Sequence, residues 1–306
     1  MPAPRWTPSW PTRELTVPRR RNDASALGFL APYLALYALF TVAPVLWSLA
    51  MSLQRGGLLE GMHFHGLANF ARVWRNPLFT TALGNTARYT VITVPGALLL
   101  SLGTALLVHP LGRRWQNLVR ACLFVPLISS TVALAVVWRA LLAPGPHGPV
   151  NWLLGLAGLS ARNWLGDPAL VIPAIAAFEI WRGYGFWVIV LLAGLDAIPR
   201  ELYEAARVDG ASSWHTFRRI TLPMLRPSLL FLTVMGCIWS LQLFDPVFMF
   251  TRGGPANSSI TVVYYIYRSA FHFDNLGYAA TMSVVLFVLM LGLTAAQMRL
   301  GRGDAD

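Results

Sequence analysis

Residues 196–227 read DAIPRELYEAARVDGASSWHTFRRITLPMLRP and separate two long apolar runs. Pro199 suits a first helical turn, where its missing N–H costs nothing. Glu201 and Glu204 follow at the positive end of that helix, where negative charge is favoured. Leu202, Ala205, Ala206 and Asp209 recur at helical spacing and make a narrow face of small side chains. Gly210 supplies the stop. Ser212 or Ser213 can cap a second helix through Trp214, Phe217 and Ile220, and Pro223 and Pro227 are expected to end it. The residues predict two short helices joined at a glycine corner. Such an element fits a groove on a partner, with Glu204 offered to a basic group. An amphipathic connector with no partner satisfies the same pattern.

The flanking runs set the fold class. Of 306 residues, 56% are hydrophobic and 12% charged, against about a quarter charged in a soluble domain; mean hydropathy is +0.54. Six apolar runs with few charges are long enough to cross a bilayer core, which takes about 20 residues of helix: Leu27–Leu53, Tyr89–Val108, Ala121–Leu142, Ala169–Leu195, Ser228–Phe250 and Leu276–Met298. Lipid-exposed backbone must satisfy itself within a helix. The reading is therefore an all-α polytopic membrane protein of six transmembrane helices. A basic tail at 1–26 precedes the membrane domain at 27–298, with the loop at 196–226 inside it, and a short tail follows at 299–306. The tail before Asp23, rich in Pro and Arg, reads as disordered and close to anionic headgroups. The apolar run at 27–53 is about twice a signal peptide's 7–15-residue core, so it is taken as a retained helix.

All 24 basic residues are arginine. Fifteen fall in segments that alternate as inside, eight in those that alternate as outside, and Arg182 lies within a span, which places both termini in the cytoplasm. The net charge of +11 is accounted for by this anchoring and does not call for a nucleic-acid partner. Without lysine there is no P-loop lysine, so any ATP hydrolysis, with its Mg, belongs to another chain. Cys122 and Cys237 lie in spans and read as small apolar core residues. His63 and His65 have no nearby ligand cluster, so no metal site is expected.

Polar groups inside the spans are the pathway candidates, because charge in lipid is costly. Glu179 and Arg182 share a helix face in span four and read either as a structural ion pair or as part of a path. They bracket Trp181. Trp239, Gln242 and Asp245 recur every three residues in span five, an aromatic beside hydrogen-bonding groups, which suits a sugar or the packing of helices. Tyr264 and Tyr265 read as interfacial belt residues. A helix lying along the interface is expected in the first outer loop, 54–88.

The motif Glu204-Ala205-Ala206-x3-Gly210-x9-Ile220-x-Leu222-Pro223 resembles the EAA motif of ATP-binding-cassette importer permeases, with its spacing intact. Phe244-Asp245 with Thr251-Arg252-Gly253-Gly254-Pro255, Gly66-Leu67-x-Asn69-Phe70, Asn85-Thr86 and Gly277-Tyr278-Ala279 are similar to stretches of the carbohydrate branch, the maltose/glycerol-phosphate type. The resemblance covers roughly residues 25–300. It implies a type I importer transmembrane domain in the bacterial inner membrane, without catalytic activity or cofactor of its own. It implies a second homologous permease, two ATP-binding subunits holding ATP and Mg, an extracytoplasmic solute-binding protein and a sugar-like substrate. The coupling role falls on Glu204, Ala205, Ala206, Asp209, Gly210, Ile220, Leu222 and Pro223. A transporter working without ATP would leave the EAA spacing unexplained.

Overall fold

The computed structural model describes residues 23–302; most of the two expected tails, 1–22 and 303–306, lies outside the described residues. The chain divides into two compact units, Met1–Trp47 and Ser48–Asp306. The first, from Asp23, is helical: Asp23–Tyr37, a π turn at Ala38–Val42 and the start of Ala43–Ser52. Pro44 has no N–H for the carbonyl four residues back and its ring crowds it. The turn widens instead, with the Ala43 N–H reaching the Ala38 carbonyl.

In the second unit the end of the Ala43–Ser52 helix is followed by a hairpin, β1 (Gln54–Gly57) against β2 (Gly61–Phe64), in register Gln54↔Phe64 and Gly57↔Gly61. A short helix, Ala68–Arg75, follows and buries Asn69 and Val73. The second span then runs unbroken from Pro77 to Val108, 32 residues. At 1.5 Å per residue it is about 48 Å long, well beyond the hydrocarbon core. Its first twelve residues were not part of the run delimited by hydropathy. They are helical because Asn76 caps them, its Oδ1 accepting from the Leu78 N–H at 2.9 Å, and Pro77 occupies the first turn.

Two expected spans are interrupted. The third is a pair of helices, Arg113–Ile128 and Thr131–Leu141, bent by 96° at Ser129-Ser130. Both serines have extended backbone, Ser130 caps the second limb, and Pro126 removes an amide from the last turn of the first. The described residues thus hold five helical segments long and apolar enough to cross a membrane, and six when this pair counts as one. The fifth runs Arg226–Leu241, breaks at 242–244 and resumes as Asp245–Phe250. Pro246 cannot donate to the Gln242 carbonyl, so the ladder opens there.

The fourth span, Val171–Asp196, is central and packs on the second, third and fifth. A side chain at Gly185 would run into the Leu123 carbonyl, so glycine is what lets these two backbones touch. The sixth helix is Leu276–Arg302. Two apolar cores result. One joins Phe79, Tyr89, Phe178, Val247, Ile260 and Met282. The other, toward residues 196–226, joins Val94, Val188, Leu191, Leu225 and Leu232. Tyr264 and Tyr265 are buried in the first core rather than placed at an interface. Cys237 is buried, whereas Cys122 is exposed on the surface of this chain.

The motifs at Asn69 and at Asn85-Thr86 are fasteners, and Asp274 is another. Asn69 Nδ2 donates to the Gln54 carbonyl at 2.7 Å. Asn85 Nδ2 donates to the carbonyls of Asn257 and Ile260, each at 3.0 Å, and Thr86 Oγ1 accepts from the Val262 N–H at 3.1 Å. Asp274 accepts from the Leu58 and Leu59 N–H groups at 2.9 and 2.8 Å, pinning the hairpin tip to the start of span six.

Candidate functional site

Two places gather the sequence-predicted residues. The first is the 196–226 element. Its leading helix is Arg200–Val208, with Pro199 extended at its N-cap and Asp209 at its C-cap. Gly210 follows at φ +71°. The Ala211 N–H reaches the Ala206 carbonyl at 2.9 Å and the Gly210 N–H the Arg207 carbonyl at 3.2 Å. This pair of bonds closes a helix through a left-handed residue, a position costly for any side chain. Ser212 then caps the next helix, Oγ accepting from the His215 N–H at 3.3 Å. That helix does not stop at Pro223. It passes through a π turn at Phe217–Thr221, with the Leu222 N–H on the Phe217 carbonyl, and continues as Leu222–Met224 to Arg226. The widened turn before Pro223 repeats the one before Pro44.

Glu204, Ala205, Asp209 and Gly210 are exposed; Ala206, Ile220, Leu222 and Pro223 are half-buried. Glu204 forms no hydrogen bond or ion pair among the described residues, so its carboxylate is presented outward. Three residues missed by sequence reading complete the element. Tyr203 Oη lies 3.0 Å from Thr221 Oγ1, joining the two helices beneath the exposed face. Val208 is 88% exposed, an apolar side chain at the tip. A valine on the polar side of an amphipathic helix was the available signal; the tyrosine–threonine pairing had none.

The second place is a cavity of about 510 Å3 among spans two, three, four and five. Glu179, Arg182, Trp239, Gln242 and Asp245 line it together. Arg182 donates through Nε to Glu179 Oε1 at 3.0 Å and through Nη2 to Oε2 at 2.8 Å. The Trp239 ring meets the Phe186 edge at 5.5 Å. Trp181 is not on this wall; its ring packs against Trp138 at 5.4 Å and Phe178 at 6.4 Å. Tyr89 and Trp187 also face the cavity. Sequence offered no pointer to either, since only the crossing of spans two and four brings them to one surface. The break at 242–244 turns Gln242 and Asp245 out of strict helical register, yet both stay beside Trp239.

Residues 97–303 match the family of binding-protein-dependent transport system inner membrane components. The chain belongs to this family. It is a multi-pass membrane permease, and the match takes in both the 196–226 element and most of the cavity wall. The permease is 37% identical to the lactose transport system permease protein LacF of Rhizobium radiobacter, over 91% of this chain and 94% of that one. It is 36% identical to the sulfoquinovosyl glycerol transport system permease protein SmoG of Agrobacterium fabrum, over 90% of each. With the trehalose/maltose transport system permease protein MalF of Thermococcus litoralis it shares 33% identity, over 92% of this chain and 95% of that one. In fold, the permease is similar to a chain of a bacterial ABC transporter involved in the import of the acidic polysaccharide alginate: TM-score 0.80, 23% identity, 93% of this chain and 97% of that one.

Proposed function

We propose that this permease is the membrane subunit of an ATP-binding-cassette importer for a sugar or sugar-like solute, and that residues 200–224 are the grip of a separate ATPase. The observation that carries the coupling half is the exposed face of Glu204, Ala205 and Val208, held in one shape by the Gly210 turn and the Tyr203–Thr221 bond. Small residues permit close backbone approach, an unpaired carboxylate meets a basic group, and a rigid two-helix element transmits displacement to span five, with which it is continuous. The sugar half rests on the printed functions of the relatives and on the cavity's aromatic and hydrogen-bonding groups.

The partners that complete this reading are a second homologous permease closing the other half of the pathway, two ATP-binding subunits that bind ATP and Mg, and an extracytoplasmic solute-binding protein. ATP hydrolysis belongs to the ATP-binding chains, and this one is non-catalytic. Both termini and the 196–226 element face the cytoplasm, in keeping with the arginine bias. ATP binding would shift the assembly between inward- and outward-facing states as a rigid-body change.

The test is co-purification of the ATPase with the tagged permease, repeated with Glu204→Lys and Gly210→Pro. Both changes are expected to lose the ATPase and ATP-dependent uptake; survival of both activities in both variants overturns the coupling assignment. Gln242→Ala is expected to lower uptake while the ATPase stays bound.

A further inference from the structure

The wall of the cavity carries the opposite sign to the chain as a whole. The protein has a formal net charge of +11, yet the charged lining residues are two carboxylates, Glu179 and Asp245, and one guanidinium, Arg182. Glu179 holds the Nε–Nη2 edge of Arg182 in a two-point bond and neutralises it. The pair is half-buried, and bidentate geometry of this kind is the strong form of the interaction. Asp245 makes no hydrogen bond or ion pair among the described residues, so it is a surplus negative charge with open acceptor sites. The Gln242 side-chain amide is likewise without a partner among them. Trp239 stands beside these two on the same wall.

From this we infer that the pathway half built by this chain takes an uncharged saccharide and discriminates against anionic ones such as uronates and sulfonated sugars. The inference rests on the proposed sugar reading and narrows it. Hydroxyl groups donate to the Asp245 carboxylate and exchange hydrogen bonds with the Gln242 amide, while the C–H face of a pyranose covers Trp239. A carboxylate or sulfonate entering the same space meets Asp245 with no free cation to offset it. Asp245 is exposed in this chain, and its repulsion of a like charge grows as a bound solute displaces the water between them. The one arginine on this wall, Arg182, is committed to Glu179, so this half of the pathway offers an anionic cargo no unspent guanidinium.

The test uses the complete importer with its partner chains and binding protein in proteoliposomes. Uptake is followed for neutral disaccharides (lactose, trehalose and maltose), for disaccharide uronates, and for an amino-sugar disaccharide. For wild type, the best neutral sugar is expected to exceed the best uronate by about tenfold or more. Asp245→Asn is expected to bring that ratio to within about threefold, and Gln242→Glu, at an exposed position, to widen it. A change in ratio on substitution places the filter in this chain rather than in the binding protein. Equal or better uptake of the uronate by wild type overturns the inference, as does uptake of the cationic amino sugar that is no better than that of the uronate, or a ratio that neither substitution moves. ATP-driven uptake of some other solute, with no saccharide carried, overturns the sugar reading itself.

Discussion

Tyr203 and Thr221 meet hydroxyl to hydroxyl at 3.0 Å beneath the exposed face of the 196–226 element. One stands on the helix carrying Glu204 and the other on the helix running into span five. Thr221 is buried, with Leu225 fully so just beyond it. Force applied at Glu204 therefore has a short path into the apolar core of spans two, four and five.

Tyr203→Phe keeps the ring and removes the bond, a loss of about 1 kcal/mol. ATPase association is expected to persist, because the outward face is unchanged. Solute moved per ATP hydrolysed is expected to fall several-fold. Uptake and phosphate release measured side by side in proteoliposomes check this; an unchanged ratio removes the linkage role.

Gly210→Ala places a side chain at φ +71°, which costs about 1–2 kcal/mol. The space around it is open, so the penalty is one of backbone conformation alone. Gly210→Asn, which tolerates the left-handed region better, is expected to retain more ATPase binding than Gly210→Ala. Binding constants for the two variants decide it.

Replacing Asp274 by Ala leaves the Leu58 and Leu59 N–H groups without their acceptors. Hydrogen exchange at these two amides is expected to rise by about tenfold, corresponding to about 1.4 kcal/mol. Exchange in the second span is expected to stay as it was. Unaltered exchange at the hairpin tip contradicts the pinning role.

Glu179→Gln leaves the Arg182 charge without its partner, and breaking a pair of this kind costs about 3 kcal/mol. The double variant Glu179→Gln, Arg182→Met is expected to recover most of the lost thermal stability. Tm measured in detergent for the single and double variants tests this; additive losses rule out a coupled pair.

Much of this molecule was legible in residue order. A span is a local property, because twenty uncharged residues cross a bilayer whatever their neighbours do. The glycine corner was legible for the same reason: a residue at positive φ after a helix is chosen by its own backbone. The extra turns of the second span were not, since Asn76 and Pro77 start a helix that hydropathy does not register outside lipid. Nor was the break at Ser129-Ser130, where a sharp bend hides inside a run apolar enough for one straight span. Tyr264 and Tyr265, aromatic and close to a loop, looked like interface residues and are core.

Sequence alone therefore determined the membrane class, the number of apolar segments and the two-helix element with its Glu204 and Gly210. These follow from hydropathy, backbone preference and spacing, all short-range. Tertiary structure decided which polar residues share a surface. It sent Trp181 to Trp138 and Phe178, brought Tyr89 and Trp187 to the cavity, and set Tyr203 against Thr221. Those pairings depend on how separate helices rotate and cross, and close packing at points such as Gly185 and Leu123 fixes that.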